Sequence, residues 1–166
     1  MMRYLLLGLT VFVLTVAGKW WFDSQPATEL PSVALSLQTP CDLRQAPCVA
    51  SDAQGRSVRF SINPASIPLM EELTIQMDTS GLAEVNNVRL TVEGVNMFMG
   101  YQYAELKPSG PAQFQGKLIL PVCTLERMEW LATLDVFTPD TKLQAKMPFI
   151  TISSKALPPF NQDLMK

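Results

Sequence analysis

The chain is expected to be all-β: an immunoglobulin-like antiparallel sandwich of about seven or eight strands, preceded by one N-terminal transmembrane helix. Two patterns carry this. Apolar and polar residues alternate with period two in run after run between residues 32 and 152, and a single apolar segment precedes them. A period of two places alternate side chains on opposite faces of a strand, so repeated runs imply strands half buried in one core.

The apolar segment begins after Arg3 with Tyr4 to Ala17 (YLLLGLTVFVLTVA) and ends in Gly18, Lys19 and the aromatic trio Trp20, Trp21 and Phe22. As a helix, Tyr4 to Phe22 would extend about 28 Å, close to the thickness of a bilayer's hydrocarbon core. Arg3 favours a cytoplasmic N-terminus, and the two tryptophans suit the opposite headgroup layer. A cleaved signal peptide, with Thr15-Val16-Ala17 as an imperfect cleavage site, is the rival, but its charged region would be minimal and bulky tryptophans would follow almost at once. The expected organisation is an anchor over 1–22, a linker over 23–31, a sandwich over 32–152 and a tail over 153–166. Residues 4–22 would make a single pass through the inner membrane, with the C-terminal domain in the periplasm. The linker (DSQPATELP) carries two prolines and no periodicity, as a spacer does.

The first run alternates at Val33, Leu35 and Leu37, and the next at Val58, Phe60 and Ile62. Leu73, Ile75 and Met77 form the third, and Val88, Leu90 and Val92 the fourth. Phe114, Gly116, Leu118 and Leu120 share one face, and Met128, Trp130, Ala132, Leu134 and Val136 form the longest. A last run, Leu143 to Ile152, is broken by Pro148. Turn-forming residues separate them at Asp52–Gly55, Thr79–Gly81, Pro108–Pro111 and Thr138–Asp140. No long helical stripe competes, and a sandwich accommodates this count of short strands. The tail (SSKALPPFNQDLMK) has little pattern.

The formal net charge is −2, and Arg3 and Lys19 contribute +2, which leaves −4 on the rest of the chain. That balance offers no electrostatic case for nucleic acid, which needs clustered Lys and Arg. Arg44, Arg56 and Arg127 show no phosphate-binding cluster, and no nucleotide loop is present. There is no histidine, which removes Ser-His-Asp and Cys-His catalysis and the usual zinc sites. Glu71, Glu72, Glu126, Glu129 and Asp135 fit a solvated surface better than an acid–base pair. The chain is therefore expected to be a non-enzyme.

Three cysteines stand in a compartment that permits disulfides. Cys41 and Cys48 enclose six residues, a spacing suited to a local disulfide. Pairing of either with Cys123, or use of the thiols for metal, stays open. The segment Glu93 to Tyr101 (EGVNMFMGY) is the most unusual. Continuing the preceding alternation would put Met97 and Met99 on one face about 7 Å apart. They would lie exposed near a rim, or turn inward if Gly94 marks a bulge. Thioether sulfur selects Cu(I) over hard cations. Met97, Met99 and Cys123 are the candidate metal ligands, with Met128 behind them because its parity places it with Trp130. Packing is the competing role, since methionine is a common gap filler.

The series Cys41…Pro47-Cys48, Ile67-Pro68-Leu69, Glu93 to Gly100, Leu120-Pro121-Val122-Cys123-Thr124 and Arg127-Met128-Glu129-Trp130 resembles an uncharacterised, single-anchor envelope protein family of Gram-negative bacteria. That resemblance implies location and covers most of the exported part, but the family has no established activity. More loosely, an anchored sandwich with a Met-x-Met-Gly strand is similar to FixH-like and YtkA-like domains, some associated with cytochrome oxidase assembly and copper supply. The likeness implies a role assisting an envelope metalloprotein or oxidase, with Cu(I) as the ion held. The alternative is a structural or protein-interaction module without ligand, in which Met97, Phe98, Met99 and Tyr101 form an apolar contact strip.

Overall fold

The computed structural model describes residues 30–153, together with Thr15 and Lys19. The chain divides into two units, Met1–Leu30 and Pro31–Lys166. Apart from those two positions, the expected membrane helix lies outside the described residues, as do most of the linker and the tail beyond Ser153. Among the described residues no helix is long and apolar enough to cross a membrane.

Over its described residues the second unit is all-β. Its strands are β1 (Ser32–Ala34), β2 (Ser36–Leu37), β3 (Cys48–Ser51), β4 (Ser57–Asn63), β5 (Glu72–Ser80), β6 (Asn87–Gly94), β7 (Tyr101–Gly110), β8 (Gln113–Ile119), β9 (Arg127–Phe137) and β10 (Lys142–Ile152). They follow one another in the order β1-β10-β9-β6-β7-β8-β5-β4-β3-β2. Every pairing is antiparallel except β1 with β10. The run β9-β6-β7-β8 is a Greek key, in which the fourth strand returns to lie beside the first.

Two strands carry the sheet around its corners. β7 pairs with β6 through its first half, up to Leu106, and with β8 from Lys107 onward, across a bulge between Pro108 and Gly110. At the other corner β1 runs beside β10, the Leu35 N–H donates to the Gln144 carbonyl at 2.8 Å, and β2 then pairs with β3. The result is nearly a barrel, which leaves little open edge.

Among the described residues there are ten strands where the alternation predicts seven or eight. The first run is divided at Leu35, where the chain changes partners. β3 is only four residues long. β7 turns Tyr101 and Tyr103 outward and only Ala104 and Leu106 inward, so its apolar pattern does not alternate. Elsewhere the predicted inward residues are the core: Phe60, Leu73, Ile75, Leu90, Trp130 and Leu134 are each 1% exposed or less. Pro148 sits inside β10 beyond the stretch paired with β1. Even-numbered residues of β10 direct their backbone groups toward β1, as the Lys142 N–H and the Gln144 carbonyl do. The N–H that Pro148 lacks therefore falls on the open side and costs the ladder nothing.

Cys41 and Cys48 form a disulfide, closing the loop between β2 and β3. The turn between β3 and β4 is organised by Asp52. Its carboxylate accepts from the Gln54 N–H at 3.0 Å, the Arg56 N–H at 3.0 Å and Arg56 Nε at 2.6 Å. Burial of the carboxylate works against its charge, but the bonds from Arg56 and Gln54 outweigh it and hold the pKa below the ordinary value. A lowered pKa stabilises the fold above the unfolded-state pKa, near 4, and the benefit is lost as pH falls through the folded value. We therefore expect Asp52→Asn to flatten the acid limb of the stability–pH curve. Thermal melts between pH 2 and 7 that show equal acid sensitivity in both proteins would rule this out.

Candidate functional site

One end of the barrel gathers the loops β4–β5, β6–β7 and β8–β9 and the last residues of β10. Among the described residues, the large side chains that are both apolar and exposed are Met70, Val95, Met97, Phe98, Tyr101, Ile119, Val122 and Ile152 at that end, and Tyr103 further along β7, opposite Thr91. The opposite end, where β1 begins, carries the Asp52 turn and the Thr138–Thr141 turn.

The β6 strand stops at Gly94, so Met97 and Met99 lie in a loop over 95–100. The expected strand spacing does not apply to them, and Gly94 marks no bulge. It allows the chain to double back instead, because a Cβ there would collide with the Met97 carbonyl oxygen. The two methionines separate in environment. Met97 is 38% exposed, whereas Met99 is half-buried and packs against the core.

Asn96 fastens the loop. The Val95 N–H donates to the Glu129 carbonyl at 2.7 Å. Asn96 Nδ2 then donates to the Arg127 carbonyl at 2.9 Å, and its Oδ1 accepts from the Glu129 N–H at 3.0 Å. A side-chain amide thus replaces one peptide unit at the end of the β6–β9 ladder.

The loop facing it, between β8 and β9, carries Cys123, which is free and 4% exposed. Its thiol lies 3.2 Å from Met97 Sδ and accepts from the Leu125 N–H at 3.5 Å. Met128 points inward from β9 and is 1% exposed. Its Cε would be 3.0 Å from a Cβ built at Gly94, so it lies beneath the same turn. Of the four candidate ligands, Met97 and Cys123 are in direct contact, Met128 reaches the Gly94 turn beside Met97, and Met99 is turned toward the core. Two neutral or singly charged soft donors suit a d10 ion such as Cu(I), and a linear S–Cu–S unit would need the sulfurs to part from 3.2 Å to about 4.5 Å, twice an ordinary metal–sulfur bond. Among the described residues no group of three Cys, Asp or Glu is placed to hold a harder ion.

Beside Met97 the Phe98 and Tyr101 rings meet edge to face at 5.3 Å, and Tyr103 continues the row at 6.1 Å. A cleft of about 450 Å³ opens nearby against the disulfide loop, lined by Cys41, Asp42, Arg44, Arg127, Glu129 and Pro148 among others. Linear spacing gives no sign that Arg44 and Arg127 share a cleft. Each is paired locally, Arg44 with Asp42 at 3.3 Å and Arg127 with Glu129 at 3.4 Å, so neither offers an uncompensated charge.

Comparison with protein-family models, curated proteins and solved structures returns no match for this chain.

Proposed function

We propose that the chain is a membrane-anchored envelope protein whose immunoglobulin-like β-domain faces the periplasm and binds Cu(I) in the course of assembling an envelope metalloprotein, such as an oxidase. It acts by holding or passing the ion, not by catalysis. The observation that supports this is the 3.2 Å approach of Met97 Sδ to Cys123 Sγ, two soft donors 26 residues apart in sequence. In the metal-free fold the Cys123 thiol donates to the Met97 thioether, and the same two sulfurs are the donors a soft ion would take. The absence of histidine leaves sulfur as the soft donor available.

The anchor reading rests on residues 4–22 and their flanking Arg3, Trp20 and Trp21. The chain enters the barrel at the end opposite the sulfur loops, where the Lys142 N–H donates to the Pro31 carbonyl. An upstream tether therefore joins the domain far from the site.

A second reading is favoured by the exposed row of Val95, Phe98, Tyr101 and Tyr103: a protein-interaction module that needs no ion. The two are separated by titrating the full chain in detergent, with Cys123 reduced, against a competing Cu(I) chelator. We expect one Cu(I) bound per chain, more tightly than micromolar. Weaker binding would leave the interaction-module reading standing.

A further inference from the structure

We propose that Asn96, with Gly94, is a positioning residue that holds the Met97 thioether beside the Cys123 thiol before any ion arrives, so that a soft monovalent cation finds both donors already adjacent and has only to part them. The purpose of that placement rests on the Cu(I) reading above, but the positioning itself is a property of the metal-free fold.

A methionine side chain has three rotatable bonds, so a loop methionine samples many positions and a site that must gather it loses affinity to ordering. The β6–β7 loop removes much of that freedom from the backbone. The last ladder pair is Gly94 with Trp130, and the Val95 N–H still bonds to Glu129 as a strand residue would. At the next residue the side chain takes over. The Asn96 amide puts one of its N–H donors and its oxygen where a peptide unit would, and satisfies the Arg127 carbonyl and the Glu129 N–H. Its own backbone is thereby released from the ladder and can turn. Gly94 makes that turn possible, since any Cβ would occupy the place of the Met97 carbonyl.

Met97 is the residue immediately after this clamp, and its sulfur arrives at Cys123. The opposing loop is held as well: the Leu125 N–H bonds to Cys123 Sγ, and the Ser153 N–H bonds to the Glu126 carbonyl at 2.8 Å. Both donors are thus carried by loops tied to the same end of β9, which limits how far either sulfur can stray from the other.

The test measures alkylation of Cys123 by iodoacetamide in the metal-free full chain, with the Cys41–Cys48 disulfide intact. Asn96→Ala should raise the labelling rate about tenfold, as loss of two ordinary hydrogen bonds from a local opening equilibrium does. Asn96→Gln, which keeps the amide but displaces it by one methylene, should raise it similarly and guards against a misfolded alanine variant. The control is Thr138→Ala. Thr138 Oγ1 also ties a turn, donating to the Thr141 carbonyl at 2.8 Å, accepting from the Thr141 N–H at 3.1 Å and meeting the Thr141 hydroxyl at 3.1 Å, but at the far end of β9. It should leave labelling unchanged. Unchanged labelling in both Asn96 variants, or an equal rise in Thr138→Ala, would overturn the positioning role.

The same proteins are then titrated with Cu(I) against a chelator. Asn96→Ala should bind about tenfold more weakly than wild type, in step with the labelling; equal binding despite faster labelling would also overturn the proposal. That comparison applies where the wild type binds; if the wild type binds no Cu(I), faster labelling confined to the Asn96 variants upholds the clamp and removes the copper reading.

Discussion

Trp130→Ala is expected to destabilise the β-domain by about 3–5 kcal/mol, read as a fall in the urea midpoint with unchanged slope. Trp130 is 1% exposed, stacks on Phe149 at 6.4 Å and donates its Nε1–H to Thr151 Oγ1 at 2.9 Å. Truncation leaves a cavity between β9 and β10 and a buried hydroxyl without its donor, and both losses act together. Glu129→Ala, one residue away, removes a side chain about half exposed whose partner, Arg127, is 62% exposed. It should change stability by less than about 0.5 kcal/mol. Similar losses in the two variants would contradict the assignment of faces along β9.

The second large effect concerns the sulfurs. Met97→Leu combined with Cys123→Ala should lower Cu(I) affinity by about a hundredfold or more, because it removes both sulfurs of the one thiol–thioether contact in the facing loops. The cost to the fold should stay small at Met97, which is partly exposed and changes little in volume, below about 1.5 kcal/mol. A thiol gives up its proton on binding a metal, so wild-type affinity should weaken as pH falls. A thioether has no proton to lose, so Cys123→Ala alone should bind weakly with little pH dependence. Met99→Leu should have the smaller effect, since its side chain packs inward. Chelator competition between pH 5 and 8 distinguishes these cases. Wild-type binding by the double variant would return both residues to simple packing.

The strands with one apolar face were legible because burial and alternation are the same fact viewed twice: Val58, Phe60 and Ile62, or Met128 through Val136, can face one core only in extended backbone. Tyr101–Gly110 was illegible because its outward tyrosines and Pro108 obscure the inward Ala104 and Leu106. The disulfide followed from spacing that brings two thiols within reach. At the candidate site, residue type pointed to Met97 and Cys123, but their contact depends on two loops meeting at the end of β9. No linear periodicity encodes that meeting. Extending the β6 pattern past Gly94 failed for a definite reason: Asn96 supplies the ladder's next donor and acceptor from its side chain, so the backbone need not remain a strand.

The parallel pairing of β1 with β10 has a mechanical consequence. β1 begins at the polar end of the barrel, and β10 finishes at the end that holds the sulfurs. A pull between Pro31 and Ser153 draws these neighbours past each other lengthwise, loading their ladder bonds in shear instead of opening them one at a time. Resistance to such a pull is governed by an unfolding rate and not by equilibrium stability. A domain held at one end and engaged at the other would thus carry tension across its closing seam, with the seam in its stronger orientation.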